Sequence, residues 1–150
     1  MTTKRRNHYD VTNRVRISHP ADVCKAVCTI LETRYPGCDL APVRLAFDTF
    51  TDLYTGELPG YLGNDTWYHD AQHSLDCTLA MARAVDGYDK TALATLRLGE
   101  RRARLGVIAA LFHYAGYIRK RIVTETHGPE FTPRPVTPRG TRSGAGRGRV

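Results

Sequence analysis

Residues 67–76 read WYHDAQHSLD and set two histidines, His69 and His73, four positions apart, with Asp76 three further on and Asp70 between them. On a helix, residues three and four apart share a face, so His69, His73 and Asp76 form one stripe and Asp70 stands one turn from His73. A neutral imidazole supplies a nitrogen to a divalent ion, and a carboxylate one turn away either ligates that ion or fixes the imidazole tautomer. The competing reading is an ordinary polar helix face, solvated or hydrogen-bonded. A second segment, AALFHYAGY at 109–117, adds His113 at the end of an apolar run. A titratable side chain at a buried helix end needs a partner. Two helices that each carry an inward histidine at one end can therefore converge on a shared centre.

The elements that must hold these residues are helical, because no segment shows the period-two alternation of a half-buried strand. Ser18 is expected as an N-cap with Pro20 in the first turn. Cys24, Val27, Cys28, Leu31 and Tyr35 then follow one face until Pro36 and Gly37 stop the helix. After Pro42, the residues Val43, Phe47, Phe50 and Tyr54 repeat that spacing, and Gly56 with Pro59-Gly60 closes it. Asp65 or Thr66 is expected to cap a third helix running to about Val85. DGYDK at 86–90 reads as a turn, and a fourth helix is expected from about Leu98 to His113, with Ala103, Val107, Ala110 and Leu111 inward. No internal repeat, Gly-rich phosphate loop or GxSxG elbow is present.

A chain of 150 residues is one domain of ordinary size, able to bury a core without disulfide support. Its 41% hydrophobic and 25% charged residues match a soluble globular protein, and the longest apolar run, 107–112, is far too short for a bilayer. No membrane segment is expected. The basic start has no apolar stretch behind it, so the chain reads as cytoplasmic. Cys24, Cys28, Cys38 and Cys77 lack paired CxxC spacing and read as small buried hydrophobes of a reducing compartment.

The net charge of +7 suggests nucleic acid until it is located: Arg134, Arg139, Arg142, Arg147 and Arg149 carry five of the charges, leaving +2 on residues 1–130. That tail is Pro, Gly, Thr, Ser and Arg, too poor in apolar surface to offset the entropy of ordering it. It is expected to be disordered, with weak nonspecific nucleic-acid contact as its functional reading. The organisation expected is a basic segment at 1–17, a helical domain at 18–130, and a disordered tail at 131–150.

YHDAQHSLDC at 68–77 resembles the YHNxxHxxDV motif of cyclic-nucleotide phosphodiesterases. ALFHYAGY at 110–117 resembles the HD motif of the wider HD-domain metal-dependent phosphohydrolases, whose bacterial members often read HDxGH. The resemblance spans about residues 43–121, with both motifs in the family's order and each at the end of an expected helix. It implies an all-α, HD-domain-like helical bundle that is incomplete at its C-terminus, and hydrolysis of a phosphate ester or nucleotide with a divalent metal cofactor (Mn, Mg, Zn or Fe). His69 would match the catalytic general acid that protonates the departing oxygen, and Tyr68 the substrate-binding tyrosine at the pocket mouth. His73 would match the first metal ligand and His113 the histidine of HD. Asp76 falls on the motif's acidic position, as a ligand or as a helper that holds a ligand histidine.

The departures from the family pattern shape the functional expectation. Tyr114 stands where the family carries the bridging aspartate, and a phenol with a pKa of about 10 is neutral near pH 7. The last aspartate is Asp89, so none follows the second motif to close the coordination sphere; Glu125 and Glu130 are the only carboxylates beyond Tyr114. Asp70 replaces the motif's asparagine and Tyr117 the second histidine of HDxGH, while Gly116 is kept. The chain is expected to be an impaired, pseudoenzyme-like member with at most one ion, held by His73, His113 and either Asp70 or Asp76. The alternative is a non-catalytic helical interaction or nucleotide-binding module. An incomplete bundle would leave an apolar face that favours self-association.

Overall fold

The computed structural model describes residues 8–64 and 71–121. The described residues form four α-helices, α1 Pro20–Arg34, α2 Ala41–Thr55, α3 Ala71–Thr91 and α4 Gly99–Phe112, with short 3-10 turns at Ala94–Leu96 and Ala115–Tyr117. Among the described residues there is no strand, only two isolated antiparallel bridges, Tyr9 with Arg16 and Tyr61 with Lys120. The all-α expectation therefore holds. No helix of the described residues is long and apolar enough to cross a membrane. The basic start at 1–7, the expected caps Asp65 and Thr66, and the tail at 131–150 lie outside the described residues.

α1 begins at Pro20, whose fixed φ suits the first helical position. The residue before it, His19, holds the N-cap place expected of Ser18, and makes no side-chain cap bond. Asp22 sits in the first turn, where a carboxylate complements the helix dipole, and accepts from Arg16. Val23, Val27, Cys28 and Leu31 are buried; Val23 takes the core place, and Cys24 moves to the half-buried shoulder. Of the four cysteines only Cys28 is buried, which corrects the reading of all four as buried hydrophobes.

α2 buries Val43, Phe47, Phe50, Leu53 and Tyr54, and ends on Gly56 at φ +83°. Gly56 and Gly63 then cross at close quarters. A Cβ on Gly63, itself at φ +77°, would stand 3.0 Å from the Gly56 nitrogen. Only two glycines permit this backbone approach, which folds the loop back so that the Asn64 N–H donates to the Tyr54 carbonyl.

α3 runs past the residues read as a turn. DGYDK is its last stretch, because both aspartates find tertiary partners that outweigh their turn preference. Asp86 pairs with Arg34 at 2.8 Å and with Lys90, and Asp89 is buried at 1% exposure. There Asp89 accepts from the Tyr35 hydroxyl at 2.6 Å and from the Leu98 and Gly99 N–H groups at 2.8 and 3.2 Å. One carboxylate thus ties α1 to α3 and caps α4, whose N-cap residue Leu98 brings no capping side chain of its own.

α3 packs on α1 and α4, and α2 packs on the same two, so the helices form a four-helix bundle with α2 and α3 on a diagonal. The core is Phe50, Leu31, Leu75, Leu79, Leu111, Val23, Val27, Val43 and Val107, all fully buried. Phe50 meets Phe112 edge-on at 6.1 Å and lies 4.1 Å from Tyr54. The described part of the basic N-terminal segment is also anchored. Asp10 is buried, accepts from Thr12, from the Arg14 and Val15 N–H groups and from Arg83 of α3, and Ile17 joins the core.

Candidate metal centre

The antiparallel pairing of α3 and α4 sets the site. At one end Asp89 holds Leu98 and Gly99; at the other, the first turn of α3 meets the C-cap of α4. His73 lies in that first turn, next to Ser74, whose buried hydroxyl is 3.2 Å from the Tyr54 hydroxyl of α2. His113 is the C-cap residue of α4. Their ring centroids are 5.6 Å apart, the planes tilted by 53°. The two histidines expected to converge do so.

Behind His113 the chain makes the 3-10 turn Ala115–Tyr117, buries Ile118, and pairs with the loop after α2. The Leu62 N–H donates to the Arg119 carbonyl at 3.0 Å, and the Arg121 N–H to the Gly60 carbonyl at 2.8 Å. The loop that leads to the first motif and the segment after the second are therefore stitched together through main-chain bonds. Tyr68, His69 and Asp70 lie outside the described residues.

His113 is exposed, not buried as its apolar run suggested, because the C-cap place carries it beyond the last buried residue, Leu111. Its Nδ1 lies 2.6 Å from the Ala110 carbonyl oxygen. A carbonyl only accepts, so Nδ1 carries the proton and the lone pair of the neutral ring is on Nε2, the nitrogen left for an ion. A backbone carbonyl in this role is the usual outer partner of a ligating imidazole.

The third group is Cys77. Its sulfur is 3.7 Å from His73 Nε2, and ligand atoms of His73, Cys77 and His113 all lie within 4.8 Å of one another. Asp76, expected as a ligand or helper, is half-buried on α3 but is not a member of this group. From His73, Asp76 lies 60° back around the helix and Cys77 40° forward, by the roughly 100° step per residue, and it is the forward position that faces α4. The reading of Cys77 as a small hydrophobe missed this. The available signal was its place four residues after His73. Burial first, and then the charge of Asp76, push the Cys77 thiol up from its ordinary range.

Tyr114 is part of the same cluster, its ring 4.1 Å from that of His113 and 5.3 Å from that of His73, with Tyr117 a further 5.6 Å on. Where a bridging carboxylate would add charge, this chain adds aromatic faces. No carboxylate belongs to the three-residue group among the described residues, so two doubly charged ions side by side would lack neutralising ligands. A single ion fits the donors present, two imidazole nitrogens and one sulfur. Compared with protein-family models, with characterised proteins and with solved structures, the chain matches none.

Proposed function

We propose that this chain is an HD-domain-like relative of the metal-dependent phosphohydrolases, retained for holding a phosphate ester or nucleotide beside one divalent ion, with hydrolysis weak or lost. The observation that carries the reading is the meeting of His73 and His113, the histidines of the two motifs, across adjoining helix ends with rings 5.6 Å apart. A divalent ion supplies Lewis acidity toward a phosphoryl oxygen and eases deprotonation of water. The residues' own contributions are narrower. His73 and His113 hold the ion, Tyr114 and Tyr117 offer ring faces beside it, and His69 is the residue the motif nominates to protonate a departing oxygen. What this chain lacks is the bridging aspartate, for which Tyr114 provides neither charge nor a second oxygen.

The alternative, a non-catalytic helical interaction or nucleotide-binding module without metal, is favoured by one feature: Tyr117 is 61% exposed at the edge of the ring cluster. Aromatic faces of this kind stack on bases. Titration with mononucleotides and with a simple phosphodiester, each with and without Mn²⁺ or Zn²⁺, separates the readings. Metal-dependent binding with slow or no cleavage supports the first. Metal-independent nucleotide binding supports the alternative, and rapid cleavage by the unaltered chain overturns the impairment.

A further inference from the structure

We infer that Cys77 is the third protein ligand of a mononuclear, zinc-type metal site completed by His73 and His113. The inference goes beyond the phosphate-ester reading and does not depend on it, since the donor set is taken from the three side chains alone. A tetrahedral zinc ion with Zn–N of about 2.0–2.1 Å and Zn–S of about 2.3 Å sets nitrogen and sulfur ligands about 3.6 Å apart and two nitrogens about 3.4 Å apart. The His73 Nε2 to Cys77 Sγ distance of 3.7 Å already matches that edge. A ring nitrogen of His113, the exposed member, lies within 4.8 Å of ligand atoms of both His73 and Cys77, so a small movement of that side chain brings the three donors onto one ion.

The chemistry of the donors selects the ion. Magnesium and calcium take oxygen ligands, whereas two imidazoles and a sulfur suit Zn²⁺, Co²⁺ and their neighbours. Among the described residues the group supplies three protein ligands, one short of the four of a tetrahedral zinc ion. The i, i+4 spacing on α3 makes His73 and Cys77 a rigid pair, while His113 comes from a second helix and is oriented through Nδ1 by the Ala110 carbonyl. Binding displaces the Cys77 proton to solvent, so one proton leaves for each ion taken up.

The test uses the full chain and Co²⁺ as a spectroscopic probe, with Zn²⁺ affinity measured by competition with a chromophoric chelator. One ion per chain is expected, with the intense visible bands of four-coordinate cobalt and a thiolate-to-cobalt band in the near ultraviolet. Cys77→Ser should abolish that ultraviolet band and weaken Zn²⁺ at least about a hundredfold. His113→Ala should weaken it comparably, and Asp76→Asn should leave it within about threefold. Because a variant can lose affinity by misfolding, mapped alkylation of the unaltered chain supplies an independent readout: Zn²⁺ should protect Cys77 and leave Cys24 and Cys38 reactive. Cobalt bound without the ultraviolet band overturns the inference, as does equal loss in Asp76→Asn and Cys77→Ser, or alkylation of Cys77 unaffected by Zn²⁺. Phosphate esters play no part in this experiment. Zinc bound by a chain that ignores nucleotides would sink only the phosphate-ester reading, and metal-dependent nucleotide binding by a chain whose Cys77 the metal leaves unprotected would sink only this one.

Discussion

Removing the Asp89 carboxylate should cost more stability than any surface change of the same size. The group is 1% exposed and accepts three hydrogen bonds, from the Tyr35 hydroxyl and from two main-chain N–H groups at the start of α4. Burial pushes its carboxyl up, but the bonds from Tyr35, Leu98 and Gly99 more than reverse this and hold it below its ordinary value of 3.8. Burial and the neighbouring Asp89 charge push the Tyr35 hydroxyl up. Each bond to a charged acceptor contributes about 1.5–3 kcal/mol, discounted here because Leu98, Gly99 and Tyr35 are only half-buried and water can replace part of the loss. Asp89→Ala should therefore cost about 3 kcal/mol. Asp89→Asn, which keeps the shape and an acceptor but loses the charge, should cost about half as much. For a domain of about 100 residues, 3 kcal/mol lowers Tm by roughly 12–24 °C. The sign of the pH effect follows from the depressed folded value: stabilisation is complete above the unfolded carboxyl value of 3.8 and is lost as pH falls through the lower folded value. Urea unfolding followed by circular dichroism, from pH 7 downward, should show the parent and Asp89→Asn curves converging in acid. A gap that stays constant with pH, or an Asp89→Ala loss under about 0.5 kcal/mol, would refute the clamp.

Three other perturbations test separate parts of the scaffold. Gly63→Ala forces a left-handed backbone on alanine and drives its Cβ to 3.0 Å from the Gly56 nitrogen, so a loss of roughly 2–4 kcal/mol is expected in chemical denaturation. Arg83→Ala removes one of four donors to the buried Asp10 carboxylate, which burial pushes up and its hydrogen bonds with Thr12, Val15, Arg83 and Arg14 hold below the usual range. Unfolding measured at pH 7 should show a loss of about 1–2 kcal/mol, because Asp10 keeps its other partners and Arg83 is itself partly exposed, and the loss should shrink in acid. Tyr114→Asp places carboxylate oxygens near where the inner edge of the Tyr114 ring now stands, beside both histidines, and should raise Mn²⁺ or Zn²⁺ affinity at least about tenfold with little gain in phosphodiester hydrolysis. Bound metal per chain measures it, and His73→Ala in the same chain should erase the gain.

The elements legible in the sequence were those whose signals are local. Pro20 opens α1 and Pro36-Gly37 closes it, Gly56 ends α2, and the apolar spacing of Ala103, Val107 and Leu111 marks α4 within a residue of each end. The convergence of His73 and His113 was legible too, because each sits at the end of a readable helix. What escaped depended on partners far away in the chain. Asp86 and Asp89 look like turn residues in DGYDK until Arg34 and Tyr35, 52 and 54 positions earlier, are brought to them. The turn at Asp10 acquires its reason from Arg83, 73 positions later. Cys77 belongs with that group: next to Asp76 it looks like the less chemical of two neighbours, and only the approach of His113 on α4 decides which of them faces the site.

These misreadings share a structural cause, because the clamp that hid Asp89 is also what puts the site together. Antiparallel helices bring into contact residues equally far, on opposite sides, from a fixed crossing point. Measured from the Asp89 clamp, His73 lies sixteen residues back along α3, about 24 Å at 1.5 Å per residue, and His113 lies fifteen residues beyond Leu98, about 22 Å along α4. The two lengths differ by less than half a helical turn. Asp89 thus fixes the register at which the histidines meet, and the fully buried Leu75, Leu79, Ala82, Ala103, Val107 and Leu111 fill the space between and resist slippage. A shift of α4 by a single residue would turn His113 about 100° from the cluster and leave Cys77 with one imidazole instead of two. The chemistry at one end of the helix pair rests on a capped helix start at the other.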